Sequence, residues 1–148
     1  MELMATSPKI DLYAHPLYRR MIDEFGFERH DKDTFEEFLK KNGLSMVVFV
    51  EDPNRMKETM DALVIAPELA KSCGLIEHKA IVGPPNARKL AVTYGFKRWP
   101  AIVFFRDGKY LGAVDGLRLW ADLVREADEI MRSKPHYPPS VGIPVRSV

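Results

Sequence analysis

The stretch Leu44-Ser45-Met46-Val47-Val48-Phe49-Val50 constrains the fold more than any other part of the chain. It is short, β-branched and almost wholly apolar, which predicts a strand buried on both faces. Such a strand is stable only in a sheet with helices on each side, so the rest of the chain must supply those helices and at least one further strand.

The flanking segments supply both. His15-Pro16 opens a helix in which Leu17, Met21 and Phe25 share a face, and Gly26 ends it. The charged run Glu28 to Asp33 carries no apolar period and reads as a connection. Asp33 is then placed to cap a second helix, with Glu36 reaching back to it and Phe35, Phe38 and Leu39 as its apolar stripe. After the central strand, Glu51-Asp52-Pro53-Asn54 breaks the chain. A helix follows through Leu63, Ala66, Leu69 and Ala70 to Gly74, with Pro67 either kinking it or starting a straighter half. Lys79 to Val82 is a second strand, and Ala87 to Tyr94 a helix ended by Gly95. Trp99 to Phe105 is a third strand, and Asp107-Gly108 turns it into a hairpin with Lys109 to Val114. Leu119, Trp120, Leu123, Val124, Ala127 and Ile130 recur at helical spacing, which places Trp120 in the core.

Strands alternating with helices demand parallel crossovers, and the hairpin adds an antiparallel edge. The predicted architecture is an α/β three-layer sandwich with a mixed central sheet and helices on both faces. Its expected organisation is an N-terminal extension over 1–14, one domain over 15–134 and a Pro-rich tail over 135–148.

Composition narrows the functional classes. The chain has 148 residues, 46% of them hydrophobic, and a formal net charge of +1, which excludes a strongly basic nucleic-acid binder. No apolar run approaches the roughly 20 residues needed to cross a bilayer, so membrane insertion is not expected. Glu2, Pro8 and Asp11 stand where an export leader would be apolar. Cys73 is the only cysteine, so an intrachain disulfide, a CxxC pair and a thiolate zinc cluster are impossible. His15, His30, His78 and His136 are isolated from one another and from Cys73, and give no metal spacing. Gly83-Pro84-Pro85-Asn86 lacks the second glycine and the Lys-Ser/Thr ending of a phosphate loop. No cofactor is expected.

The order of elements and two local strings resemble the thioredoxin fold. Val64-Ile65-Ala66-Pro67-Glu68-Leu69 is similar to the proline-bearing part of the thioredoxin active-site helix, and Trp99-Pro100-Ala101-Ile102-Val103-Phe104-Phe105-Arg106-Asp107-Gly108-Lys109 to its cis-proline, strand and hairpin. The resemblance implies a cis Pro100 facing the active site. It also places the dithiol eight and five residues before Pro67, where this chain has Thr59 and Ala62. With no thiolate and no resolving thiol there, dithiol exchange cannot run.

A narrower resemblance spans about Leu17 to Ile130. It rests on Val48-Phe49-Val50-Glu51-Asp52-Pro53-Asn54-Arg55, Pro67-Glu68-Leu69, Tyr94-Gly95-Phe96-Lys97-Arg98-Trp99-Pro100, Arg106 to Ala113 and Gly116 to Ala121. These strings resemble the hydrogenase expression and formation proteins of the HupG/HyaE type, which are thioredoxin-like and lack the cysteines. The resemblance implies a non-catalytic cytoplasmic chaperone for an uptake nickel–iron hydrogenase. Its implied partners are the small-subunit precursor with its twin-arginine signal peptide, before export, and other hydrogenase accessory proteins.

The candidate site gathers Glu51, Asp52, Glu58 and Asp61 around the place of the missing dithiol, with Phe96, Trp99 and Pro100 beside them. Carboxylates next to aromatic groups complement two guanidinium groups and an apolar segment. The same acids equally suit a solvated helix start, because acidic residues favour helix N-termini. Two other readings follow from the same residues: a thiol oxidoreductase using Cys73 alone, and a purely structural assembly module.

Overall fold

The computed structural model describes residues 9–139. Its strands are β1 (Glu28–His30), β2 (Leu44–Phe49), β3 (His78–Val82), β4 (Ala101–Arg106) and β5 (Lys109–Asp115). Its helices are α1 (Pro16–Asp23), α2 (Phe35–Leu39), α3 (Glu58–Cys73), α4 (Ala87–Tyr94) and α5 (Trp120–Met131), preceded by one 3-10 turn, Leu12–Ala14. The strands form one sheet in the order β1-β3-β2-β4-β5. β1 and β2 run parallel to β3, and β4 runs antiparallel to both β2 and β5.

Every residue of β2 is buried, as a central strand in a three-layer α/β sandwich must be. Alternate side chains divide between two cores. Met46, Val48 and Val50 pack with Met21 of α1, Leu63 and Leu69 of α3 and Leu123 of α5. Val47 and Phe49 face the other way, against Phe35 and Phe38 of α2 and Ala91 and Tyr94 of α4. The crossover through α3 therefore covers one face of the sheet, and that through α4 the other.

Local chemistry ends these elements. Asp107 and Gly108 both have positive φ, 52° and 77°, the backbone of a two-residue hairpin turn between β4 and β5. A Cβ at Gly108 would collide with the Leu39 carbonyl, so only glycine lets the hairpin tip press against the end of α2. α3 runs unbroken through Pro67.

Three expectations are corrected. The charged run after Phe27 contains β1, which pairs with β3 from Glu28 opposite Ala80 to His30 opposite Val82. An edge strand with one neighbour and solvated side chains needs no apolar period, so its sequence is silent. Asp33 does not cap α2: the N-cap position is Thr34, which makes no side-chain cap bond. Asp31 Oδ1 accepts from the N–H groups of Asp33 at 2.8 Å and Thr34 at 3.0 Å in the turn that leads into the helix. Trp120 is 46% exposed although it shares a stripe with the buried Leu123, Ala127 and Met131, because it is the first residue of α5 and stands at the exposed end of that stripe.

Two of the expected boundaries fall at the edges of the described residues. Leu12, before the expected domain start, joins the core on the α1 side. Of the tail, residues 135–139 form neither helix nor strand, and the His136 N–H donates to the Tyr110 carbonyl at 3.1 Å. The remainder of the tail, from 140 on, and residues 1–8 lie outside the described residues.

Phe35 is the hub of the second core, with ring centroids 5.9–6.1 Å from those of Phe38, Phe49, Tyr94 and Phe105. Phe35→Ala is expected to lower stability in urea unfolding by about 3–5 kcal/mol. The Tyr18 hydroxyl, by contrast, is buried with no hydrogen-bond partner among the described residues. Tyr18→Phe should therefore leave stability unchanged or raise it by up to about 1 kcal/mol, and a clear loss would reveal a partner for that oxygen.

Candidate functional site

The register of three strands builds the site. Phe49 of β2 lies opposite Val82 of β3 and Ala101 of β4. The residues just beyond, Val50-Glu51, Gly83-Pro84 and Trp99-Pro100, are therefore brought side by side at one edge of the sheet. This edge holds the carboxyl ends of the parallel strands, where α/β proteins commonly bind ligands. The first turn of α3 and the link between β5 and α5 complete it.

Pro100 is buried, its peptide bond to Trp99 is cis, and its carbonyl accepts from the Gly116 N–H at 2.8 Å. The carboxylate of Asp115 accepts from the Lys97 and Arg98 N–H groups at 3.1 and 3.3 Å, which holds the loop entering Trp99. Neither the N–H nor the C=O of Trp99 makes a hydrogen bond among the described residues. Its half-buried ring stands edge-on to Phe96, with centroids 5.1 Å apart. Phe96 is itself buried against Phe49, so it supports Trp99 from the core rather than meeting solvent.

The four acids fall into two unlike pairs. Glu51 is buried and ion-paired with the Nε of Arg88, while its backbone carbonyl accepts from the Thr59 hydroxyl at 2.9 Å. Asp52 accepts from both the backbone N–H and the side-chain amide of Asn54, at 3.0 and 2.8 Å. These bonds, the backbone one foremost, hold its carboxyl below the usual carboxylate range. The Asn54 amide also brackets Ile10, accepting from its N–H at 2.9 Å and donating to its C=O at 2.7 Å. Glu58 and Asp61, in the first turn of α3, have no ion pair or side-chain hydrogen bond among the described residues.

Sequence reasoning missed Arg88 and Arg55. With Glu51, Met56, Ala91 and Trp99 they line a cavity of about 400 Å³ beside Trp99. Arg88 is brought to Glu51 from the far side of the α4 crossover, 37 positions along the chain, and no local spacing signals that pairing. It also missed the exposed Leu119 and Leu117 on the link into α5.

Thr59 and Ala62, at the places of the absent dithiol, are both buried. Cys73 ends α3, about 20 Å from its first turn at 1.5 Å per residue, and burial pushes its thiol pKa up. Among the described residues, no group of three His, Cys, Asp or Glu side chains is placed to hold a metal ion. Among the described residues, no helix is long and apolar enough to cross a membrane either.

Two measurements test this geometry. Asp52 should titrate below the usual carboxylate range, and Asn54→Ala should raise its pKa in an NMR pH titration, because the bonds that favour the charged form are lost. Because that pKa is depressed by folding, its stabilising effect is present above the ordinary carboxylate range and is lost as pH falls through the lowered value. Arg88→Met leaves the Glu51 carboxylate buried without its partner, and is expected to cost about 1–3 kcal/mol in urea unfolding, more than an exposed pair would.

Comparison with known proteins gives the family and the fold. The family model described as "Hydrogenase-1 expression protein HyaE" matches residues 17–123. The "hydrogenase expression/formation protein HoxO" of Cupriavidus necator is 30% identical over 137 residues, covering 89% of this chain and 83% of that protein. The HupG protein of Rhodobacter capsulatus is 32% identical over 121 residues, covering 81% and 88%. Among solved structures, a chain of the ferredoxin:thioredoxin reductase–thioredoxin f2 complex superposes with a TM-score of 0.59 at 20% identity, over 74% of this chain and 97% of that one. The J-Trx1 fragment of ERdj5 gives 0.58 at 22% identity, over 78% and 59%, so the fold is thioredoxin-like. With buried Thr59 and Ala62 where thiols would stand, and a family match from α1 into α5, the chain belongs to the HyaE family of hydrogenase expression proteins.

Proposed function

We propose that this chain is a non-catalytic cytoplasmic chaperone in the maturation of an uptake nickel–iron hydrogenase, and that it binds the small-subunit precursor at its twin-arginine signal peptide before export. The observation that supports this most is the open backbone of Trp99 beside Pro100. A free N–H and a free C=O on one residue form a rung to which an extended peptide adds as a strand. Around that rung the site offers binding groups and no nucleophile. The Thr59 hydroxyl is committed to the Glu51 carbonyl, and the one thiol lies at the far end of α3. The names of the relatives, which refer to hydrogenase expression and formation, support a role in hydrogenase maturation.

The division among the acids refines which groups meet the client. Glu51 already has Arg88, whereas Glu58 and Asp61 remain open to guanidinium groups. Other hydrogenase accessory proteins would meet the complex on the remaining surface.

The reading is tested by affinity capture of a tagged small-subunit precursor from cells expressing the hydrogenase. The wild-type chain should retain it. Trp99→Ala, or Glu58→Lys with Asp61→Lys, should weaken retention by about tenfold, the equivalent of roughly 1.4 kcal/mol. Equal retention of a precursor lacking its signal peptide would overturn the signal-peptide reading, and no retention of any precursor would overturn the chaperone reading.

A further inference from the structure

The link from β5 to α5 and the first residue of α5 carry three large apolar side chains in solvent: Leu117, Leu119 and Trp120 are 37%, 78% and 46% exposed. Apolar residues scattered singly on a surface need no explanation, but a group in one short segment does. Here the exposure is built in. Arg118, between the two leucines, turns inward. Its Nε donates to Glu126 at 3.0 Å and its Nη1 to the Asp115 carbonyl at 2.6 Å. The preceding Gly116 is bonded to Pro100. An extended segment whose middle residue is pinned inward must present its neighbours outward.

This shelf adjoins the site. Leu117 and Ile65 of α3 meet Pro100 around one small concavity. On the same helix, one to two turns toward its N-terminus, stand Glu58 and Asp61, without ion pairs among the described residues. Pro100 is thus bordered by an apolar surface that begins where an acidic one ends.

We infer that the shelf of Ile65, Leu117, Leu119 and Trp120 receives an uninterrupted apolar run of a peptide whose basic residues lie on Glu58 and Asp61. This rests on the peptide-binding reading above and adds a direction and a spacing to it. Glu58 and Ile65 are seven positions apart on α3, about 10 Å at 1.5 Å per residue. An extended peptide covers that with about three residues at roughly 3.3 Å each. The basic pair must therefore stand about two to four residues before the apolar run. The carboxylates beside the shelf also favour a cationic peptide over an anionic lipid surface.

The test uses the full wild-type chain, with Trp120→Phe as the control that identifies the Trp120 emission, and synthetic peptides with two arginines, a spacer and about a dozen apolar residues. A three-residue spacer should shift the Trp120 emission to the blue. A ten-residue spacer, or a peptide without the apolar run, should bind at least about tenfold more weakly. Leu119→Ser with Trp120→Ser, both exposed and outside the core, should weaken capture of the hydrogenase precursor by the wild-type chain to a similar degree. If that double variant retains the precursor fully while Glu58→Lys with Asp61→Lys loses it, the shelf is overturned and the chaperone reading stands. If light scattering shows a dimer that the double variant dissociates, the shelf is a self-association surface and the inference also fails. If the wild-type chain captures no precursor, both fall together.

Discussion

The pairing of β2 with β3 on one side and β4 on the other is the constraint on which everything else rests. Strand register is strict when both faces are buried, because a slip of one residue would send Val47 and Phe49 into the space shaped for Met46 and Val48. The same register brings Glu51, Gly83 and Pro100 together just past the strand ends. A site assembled in this way needs no motif of its own. It is the continuation of the core into solvent, and buried Thr59 and Ala62 pack beneath it.

Electrostatics then decides which members of the site are available. A buried carboxylate requires a partner, and the fold supplies Arg88 to Glu51 from the opposite crossover. Asp52 is engaged with Asn54, which in turn holds the backbone of Ile10. What faces outward is narrower than the acidic cluster as a whole: two carboxylates on the first turn of α3, the backbone of Trp99 and an apolar rim.

The sandwich was legible because its signals are local and strong. The apolar run of β2, the Asp107-Gly108 turn and the Ala87–Tyr94 helix each carry their own periodicity or turn chemistry, and each forms where its residues indicate. β1 was not legible, because its only reason to be a strand is the free edge of β3. Trp120 misled because helical spacing marks a stripe without saying how wide the buried part is. Leu123, Ala127 and Met131 are the buried residues of α5, and Trp120 stands on the same stripe at its exposed first position. The candidate acids were found as a group, but their division into paired and open was not.

By itself, the sequence determined that this chain folds as a mixed α/β sandwich and that exchange through an intrachain pair of thiols cannot be its chemistry. Hydrophobic periodicity and the count of cysteines are properties of residues in order, and no fold can alter them. Only the tertiary structure decided that Arg88 meets Glu51, that Trp99 keeps its backbone open beside Pro100, and that Leu117, Leu119 and Trp120 stand in solvent next to them. Those relations join segments from separate crossovers and depend on which side chains the core leaves over. That is a result of packing, and no spacing along the chain encodes it.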